Sequence, residues 1–196
     1  MPQLILASAS PRRRELLAQL GYTPELRPTS IDESRRNGEP PAQLVRRLAR
    51  EKARAAVRSD ENALVLGADT LVCLGDRVFG KPADAAEAQQ NYALLGGRWH
   101  QVLTAVAITD GQRVWQALSR NAVFLRPISP AEAHAYWASG EPQDKAGGYA
   151  IQGLGAVFVR SLRGSYSGVM GLPLAETAAL LSQLGLPPPH LQARHE

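Results

Sequence analysis

Leu4-Ile5-Leu6-Ala7-Ser8-Ala9-Ser10-Pro11-Arg12-Arg13-Arg14 joins a short apolar run to a helix start, and its reading decides what kind of chain this is. Leu4 to Ala7 reads as a buried strand. Ser10 is a favoured N-cap residue, Pro11 suits the first helical position, and Glu15, Leu16, Leu17 and Leu20 carry a helix to a stop at Gly21. A strand feeding a helix N-terminus presents free backbone N–H groups and a positive dipole end to an anion. Cations are misplaced at that end unless an anion compensates, so three consecutive arginines there point to a phosphate-bearing ligand. Residues of a helix follow one another at about 100° around the axis, so the three cannot share one ligand. Arg12 and Arg13 are the candidates, their guanidinium forks matching pairs of phosphate oxygens, and Arg14 is left to solvent.

Outward from this stretch, 196 residues suffice for one domain with a substantial core, or for two lobes around a cleft. The net charge of +4 and pI near 9.6 suit an anionic ligand, nucleotide or nucleic acid, without choosing between them. The single cysteine, Cys73, excludes an internal disulfide and reads as a small core residue. Neither a signal-peptide pattern nor a membrane span is visible, which leads us to expect a soluble, cytoplasmic protein with no membrane partner.

Along the chain, Glu33 falls in a charged, proline-containing loop, where a solvated acid is the simplest account. Residues 41–57 have helical spacing, with Val45, Leu48, Ala49 and Ala56 on one face and Lys52 on the same stripe. Lys52 snorkels outward or, at the edge of an anion cleft, meets phosphate. Asp69, in Gly67-Ala68-Asp69-Thr70, is embedded between the apolar runs 63–66 and 71–74. An unpaired buried carboxylate is costly, so Asp69 reaches a cleft, pairs with a cation or binds metal. Gly75-Asp76-Arg77 reads as a hairpin turn, and Gly80-Lys81-Pro82 holds another lysine in a stiff loop. Asp84 caps a helix ending at Gly96-Gly97; strands 98–109 and 113–124 flank the Asp110-Gly111 hairpin; Ser129 to Glu132 is a capping box. Residues 144–153 form a glycine-rich segment carrying Lys145 and Gln152, a residue able to read a base edge or to rest satisfied in a strand. A strand at 156–162 and a helix at 172–184 close the domain, which we place at 1–186, with a polar, proline-led tail at 187–196. Neither a Walker A loop nor a dinucleotide fingerprint is present, and the histidines have no zinc-ligand spacing.

Leu-Ala-Ser-Ala-Ser-Pro-Arg-Arg at 6–13, Gly67-Ala68-Asp69-Thr70, Gly80-Lys81-Pro82, Asp144-Lys145-Ala146-Gly147 through Gln152-Gly153, and Gly171-Leu172-Pro173 together resemble the Maf family, block by block in family order over nearly the whole chain. The resemblance implies an α/β fold like that of the inosine triphosphatases: an extended mixed sheet with helices, in two lobes around a nucleotide cleft. It further implies a homodimeric nucleoside triphosphate pyrophosphatase that releases pyrophosphate with a divalent cation, Mg²⁺ or Mn²⁺, and an association with septum formation and division arrest. Lys145 and the 149–152 segment resemble the branch acting on dTTP and UTP. By that match Asp69 is the catalytic proton acceptor, and Arg12, Thr70 and Gln152 bear on substrate choice. Ser8, Arg13, Lys52 and Lys81 are phosphate-binding positions, with Asp69 and Glu33 as metal ligands. Arg120 and Gly168 depart from the expected threonine and asparagine, which bears on the cleft rim or a dimer contact.

Two other readings carry different expectations. A relative acting on 7-methyl-GTP or another nucleotide keeps the reaction and changes the base. A non-enzymatic, nucleic-acid-binding division regulator predicts salt-sensitive DNA or RNA binding without pyrophosphate release. The basic residues lie in separate motifs that also carry acids, without interleaved aromatics, so no stable nucleic-acid partner is expected.

Overall fold

A computed structural model of the chain describes residues 2–59 and 62–191. The opening strand is β1 (Gln3–Leu6), followed by α1 (Pro11–Gln19), the two-residue β2 (Glu25–Leu26) and α2 (Pro41–Ala55). Then come β3 (Ala63–Leu74), β4 (Arg77–Phe79), α3 (Ala85–Leu95), β5 (Trp99–Thr109), β6 (Val114–Leu125) and α4 (Pro130–Ala138). A run of 3-10 turns leads to β7 (Val159–Arg163), the short α5 (Tyr166–Met170) and α6 (Leu174–Gln183). The strands form one mixed sheet in the order β2-β1-β3-β5-β6-β7, with β4 added to β3. This is the extended mixed sheet with helices expected of the α/β class.

The longest consequence for function comes from β3. The apolar runs either side of Gly67-Ala68-Asp69-Thr70 are one uninterrupted strand. Along one edge its first residues pair in parallel with β1, Ala63 with Gln3 to Leu66 with Leu6, and its last pair antiparallel with β4, Val72 with Phe79 to Leu74 with Arg77. Between these partners the edge at residues 67–71 is open, and β1 turns away there after Ala7 N–H bonds Leu66 O at 2.8 Å. A strand whose neighbours part company leaves a crevice, the place where open α/β sheets take ligands.

Helices cover the sheet in two groups on one face and singly on the other. Over the first half of β3, α1 and α6 pack Leu16, Leu17 and Leu181 on Leu66 and Ile108. Over its second half, α3 and α4 pack Tyr92, Leu95 and Tyr136 on Val72, Val102 and Val123. These are the two lobes. On the reverse face α2 lays Val45, Ala49 and Ala53 on Cys73, Leu103 and Ala105. Gly67 makes that contact close: a Cβ there would stand 2.4 Å from Ala49 O and 2.5 Å from Ala53 N. Cys73 is a buried core residue, as read.

Several local readings hold in detail. Asp84 Oδ1 accepts from Glu87 N–H at 2.8 Å, and Ser129 with Glu132 forms a full capping box. Others are corrected. Ser10 stands at the α1 N-cap, but its side chain makes no cap bond; Ser8 Oγ accepts from Ser10 N–H instead. Residues 156–158 belong to a 3-10 turn (Leu154–Phe158), and the strand starts only at Val159. The cause is Glu141, whose carboxylate takes the N–H groups of Leu154 and Gly155 at 2.8 and 2.9 Å and curls the chain before it can join β6. The closing helix begins at Leu174 rather than Leu172. At the C-terminus Tyr22 Oη donates to Leu186 O at 2.6 Å and Pro189–Leu191 makes a 3-10 turn beside Gly21; the rest of the tail, 192–196, lies outside the described residues.

Candidate active site

The open edge of β3 is the floor of a cleft of about 730 Å³, within the range of small-molecule sites. Ser8, Arg12, Arg13, Glu33, Lys52, Asp69, Thr70, Lys81 and Gln152, read from separate stretches of sequence, all line it. Arg120 is exposed on β6 and is not among the cleft residues, while Gly168 sits in α5 behind the wall. Arg14 is exposed.

Because side chains alternate across a strand, Asp69 and Thr70 leave β3 on opposite faces. Asp69 turns to the α2 side. Its Oδ1 accepts from Lys52 Nζ at 2.6 Å, and the same ammonium meets Glu33 Oε1 at 2.8 Å. Lys52 therefore does not simply snorkel; two of its three protons hold carboxylates and one is left for a ligand. Glu33 remains more than half exposed at 60% of its side chain, whereas Asp69 is buried. Burial pushes the Asp69 pKa above the usual aspartate value against the pull of Lys52 and Arg13. A carboxylate so placed is more basic than one in water.

Thr70 turns to the α1 side, where Arg13 reaches back over the loop. Arg13 Nε donates to Gly171 O at 2.9 Å, and its terminal nitrogens donate to Ser8 Oγ at 3.2 Å and Thr70 Oγ1 at 3.4 Å. Desolvation lowers the Arg13 pKa from its ordinary value, with Asp69 opposing the shift. A guanidinium nevertheless keeps its charge inside a protein. Arg12 is held differently: it faces Asp144 at 3.7 Å, and Asp144 is also bonded by Lys145. One arginine is thus fixed by the protein, and its neighbour is tethered to an exposed acid.

The far wall is the glycine-rich segment 144–153, in which Ala146–Gly148 folds as a 3-10 turn. Gly147 and Gly148 both adopt left-handed backbone, at φ 69° and 74°, and a Cβ on Gly147 would press on Val72 at 3.0 Å. Their role is thus both positive φ and close approach. Groups with no signal in the sequence support this wall. Tyr136 Oη donates to Glu141 at 2.6 Å and accepts from Ala150 N–H at 3.1 Å; His100 Nε2 lies 2.7 Å from Tyr149 Oη. Burial brings His100 down to about 4, so the ring is neutral at physiological pH. The Glu33 loop is anchored by a buried pair: Arg47 bonds both oxygens of Glu39 at 2.7 and 2.8 Å and also Ser34 O, next to Glu33, at 2.9 Å.

A hard divalent cation bound with a phosphate needs only one or two protein carboxylates, the rest of its shell being phosphate oxygen and water. Asp69 and Glu33 fit that demand, since their oxygens already converge on one cation, Lys52 Nζ. Among the described residues no group of three or more His, Cys, Asp or Glu forms an all-protein cage. No helix among them is long and apolar enough to cross a membrane.

With this geometry in hand, comparison with known proteins is decisive at the level of family. The model for "Maf-like protein" matches residues 3–184. The chain belongs to the Maf family. Similar Maf relatives include a dTTP/UTP pyrophosphatase of Cereibacter sphaeroides, 55% identical over 94% of this chain and 96% of the relative. One of Methylococcus capsulatus is 52% identical over 94% of this chain and 92% of its own length. Another, of Escherichia coli O157:H7, is 52% identical over 93% of each chain. The Maf match spans both lobes and every cleft residue named above.

Proposed function

We infer that this chain is a nucleoside triphosphate pyrophosphatase that hydrolyses dTTP and UTP to the nucleoside monophosphate and pyrophosphate. The observation that carries this reading is the buried Asp69 carboxylate, held by Lys52 at the floor of a cleft whose walls carry Arg12, Arg13 and Lys81. The relatives at 52–55% identity, each named dTTP/UTP pyrophosphatase, support the choice of nucleotide.

In this mechanism Asp69 accepts a proton from a water, whose oxygen attacks the α-phosphorus. The bond from the α-phosphorus to the bridging oxygen breaks, and pyrophosphate leaves with the bonding pair. Removing Asp69 from bulk water makes it a better proton acceptor, and Lys52 keeps it oriented. Ser8, Arg13, Lys52 and Lys81 hold phosphate oxygens, with preorganised charge stabilising the departing pyrophosphate. Arg12, Thr70 and Gln152 act on substrate choice. Asp69 and Glu33 would hold a Mg²⁺ or Mn²⁺ ion, which neutralises phosphate charge and acts as a Lewis acid when bound. The reading extends to a cytoplasmic homodimer without a stable nucleic-acid partner and with a role in division arrest; these parts rest on the family resemblance.

A pyrophosphate-release panel over dTTP, UTP, dCTP, dATP, GTP and 7-methyl-GTP, with and without each cation, tests the function. Turnover led by dTTP and UTP is the expected result. A lead for 7-methyl-GTP overturns the nucleotide assignment, and inactivity on all of them with salt-sensitive nucleic-acid binding overturns the enzyme.

A further inference from the structure

Gln152 lines the cleft from a turn whose two ends are tied to one pair of side chains. Its neighbour Ile151 is buried and Gln152 itself is exposed; among the described residues no hydrogen bond engages the Gln152 amide, which is left for a ligand. Before the turn, Ala150 N–H donates to Tyr136 Oη at 3.1 Å. After it, Leu154 and Gly155 N–H donate to Glu141 Oε2 and Oε1 at 2.8 and 2.9 Å.

The two anchors are themselves joined. A phenol has one proton and an ionised carboxylate only accepts, so Tyr136 Oη donates to Glu141 Oε1, at 2.6 Å, and keeps a lone pair for Ala150. Burial raises the Glu141 pKa, but the bonds from Tyr136, Gly155 and Leu154 outweigh it and hold the group below its ordinary value, ionised. Neither anchor is free to drift. Tyr136 is buried, with its ring edge-on to Phe158 at 5.2 Å between centroids, and Glu141 N–H donates to Ser139 Oγ at 3.3 Å just beyond α4. The turn fits closely against both: there is no room for a Cβ at Gly153 beside the Glu141 carboxylate, nor at Gly155 beside the Tyr136 hydroxyl.

We propose that Tyr136 and Glu141 are positioning residues for substrate choice, a clamp that fixes the 150–155 turn and so aims the Gln152 amide at the base of the nucleotide. Neither residue lines the cleft, so both act through Gln152. An amide that donates and accepts matches the edge of thymine or uracil, which offers a carbonyl beside an N–H, only where it is held in register with that edge. Ser8, Arg13 and Lys52 stand on the β1–α1 segment and on α2, away from the clamp, so the phosphate end does not depend on it. The proposal rests on reading Gln152 as the residue that meets the base.

Calorimetric binding of inorganic triphosphate and of an α,β-methylene analogue of dTTP, each with Mg²⁺, separates the two ends. Glu141→Gln sets an amide NH₂ against groups that can only donate to it, and Tyr136→Phe removes the hydroxyl that meets Ala150. Each is expected to move the ratio of the two Kd values roughly three- to tenfold against the nucleotide analogue, the worth of one hydrogen bond, as Gln152→Ala also does. Inorganic triphosphate binds as it does to the wild type. In a Gln152→Ala background neither clamp substitution moves the ratio further, because residues acting through one another are not additive. A purely structural role predicts instead a loss shared by both ligands, or a shift that persists in that background, and either result overturns the proposal. So does an unchanged ratio in Gln152→Ala, or in a folded clamp variant; should one clamp variant not fold, the other decides. Pyrophosphate release from dTTP by the wild type is scored in parallel: its absence sinks the enzymatic reading, whereas the Kd ratios need no turnover and judge the clamp separately.

Discussion

Asp69 and Thr70 are adjacent in β3, yet Asp69 bonds Lys52 of α2 beneath the sheet and Thr70 meets Arg13 of α1 above it. The strand edge between β1 and β4 is open at these two positions, so one cleft collects side chains from both faces. A carboxylate with a basic partner and a fixed guanidinium are thereby brought to a single ligand without any loop having to carry both.

The reach of Lys52 to Asp69 depends on how near α2 lies to β3, and Gly67 sets that distance. Gly67→Ala places a methyl group 2.4 Å from Ala49 O, so the helix must move out. We predict a loss of about 1–3 kcal/mol of stability from overpacking, together with a fall in kcat as Lys52 parts from Asp69. Denaturant unfolding and dTTP turnover measure the two effects. A fully active, undiminished protein would show that the close contact does not serve the site.

The Arg47–Glu39 pair holds the loop that carries Glu33, and both partners are buried. Removing one leaves the other charge uncompensated, so Arg47→Met costs about 3–5 kcal/mol, read from denaturant unfolding. The hydrogen bond from Arg47 lowers Glu39 from 4.5 to about 2. A depressed carboxylate stabilises the fold fully above its unfolded value, and that contribution fades as pH falls from 4.5 towards 2. Wild-type Tm should therefore drop over that window more steeply than the Tm of Arg47→Met.

Catalysis should carry the opposite signature. Asp69 is raised by burial, so its proton-accepting form appears only above the 3.8 of an ordinary aspartate. The acid limb of kcat/KM for dTTP is expected above that value, and removing the Lys52 ammonium by Lys52→Ala should push the limb higher still, because the strongest charge opposing the rise is gone. A limb at or below 3.8 would contradict the role of burial.

Much of this was legible in sequence where a rule acts over a few residues. β1 and α1 follow from an apolar run, a proline and a glycine stop; the capping box at Ser129 and the cap at Asp84 follow from residues three apart. Charge in the wrong place was equally informative: arginines at a helix start and an aspartate amid apolar residues both line the cleft. What stayed hidden depends on partners far apart in the chain. Nothing local distinguishes Glu141 as the residue that curls 154–158, Thr104 as the neighbour of Thr70, or Arg47 as the anchor of Ser34. The five-residue α5 has too short a span for periodicity to register.

The account stands or falls on Asp69 as proton acceptor. Asp69→Asn keeps the shape and removes the base, so the most direct measurement is single-turnover pyrophosphate release from dTTP by this variant, alongside binding of the α,β-methylene analogue. Release slowed at least about 100-fold with binding within a few-fold of wild type is the predicted result. Release at the wild-type rate would contradict it.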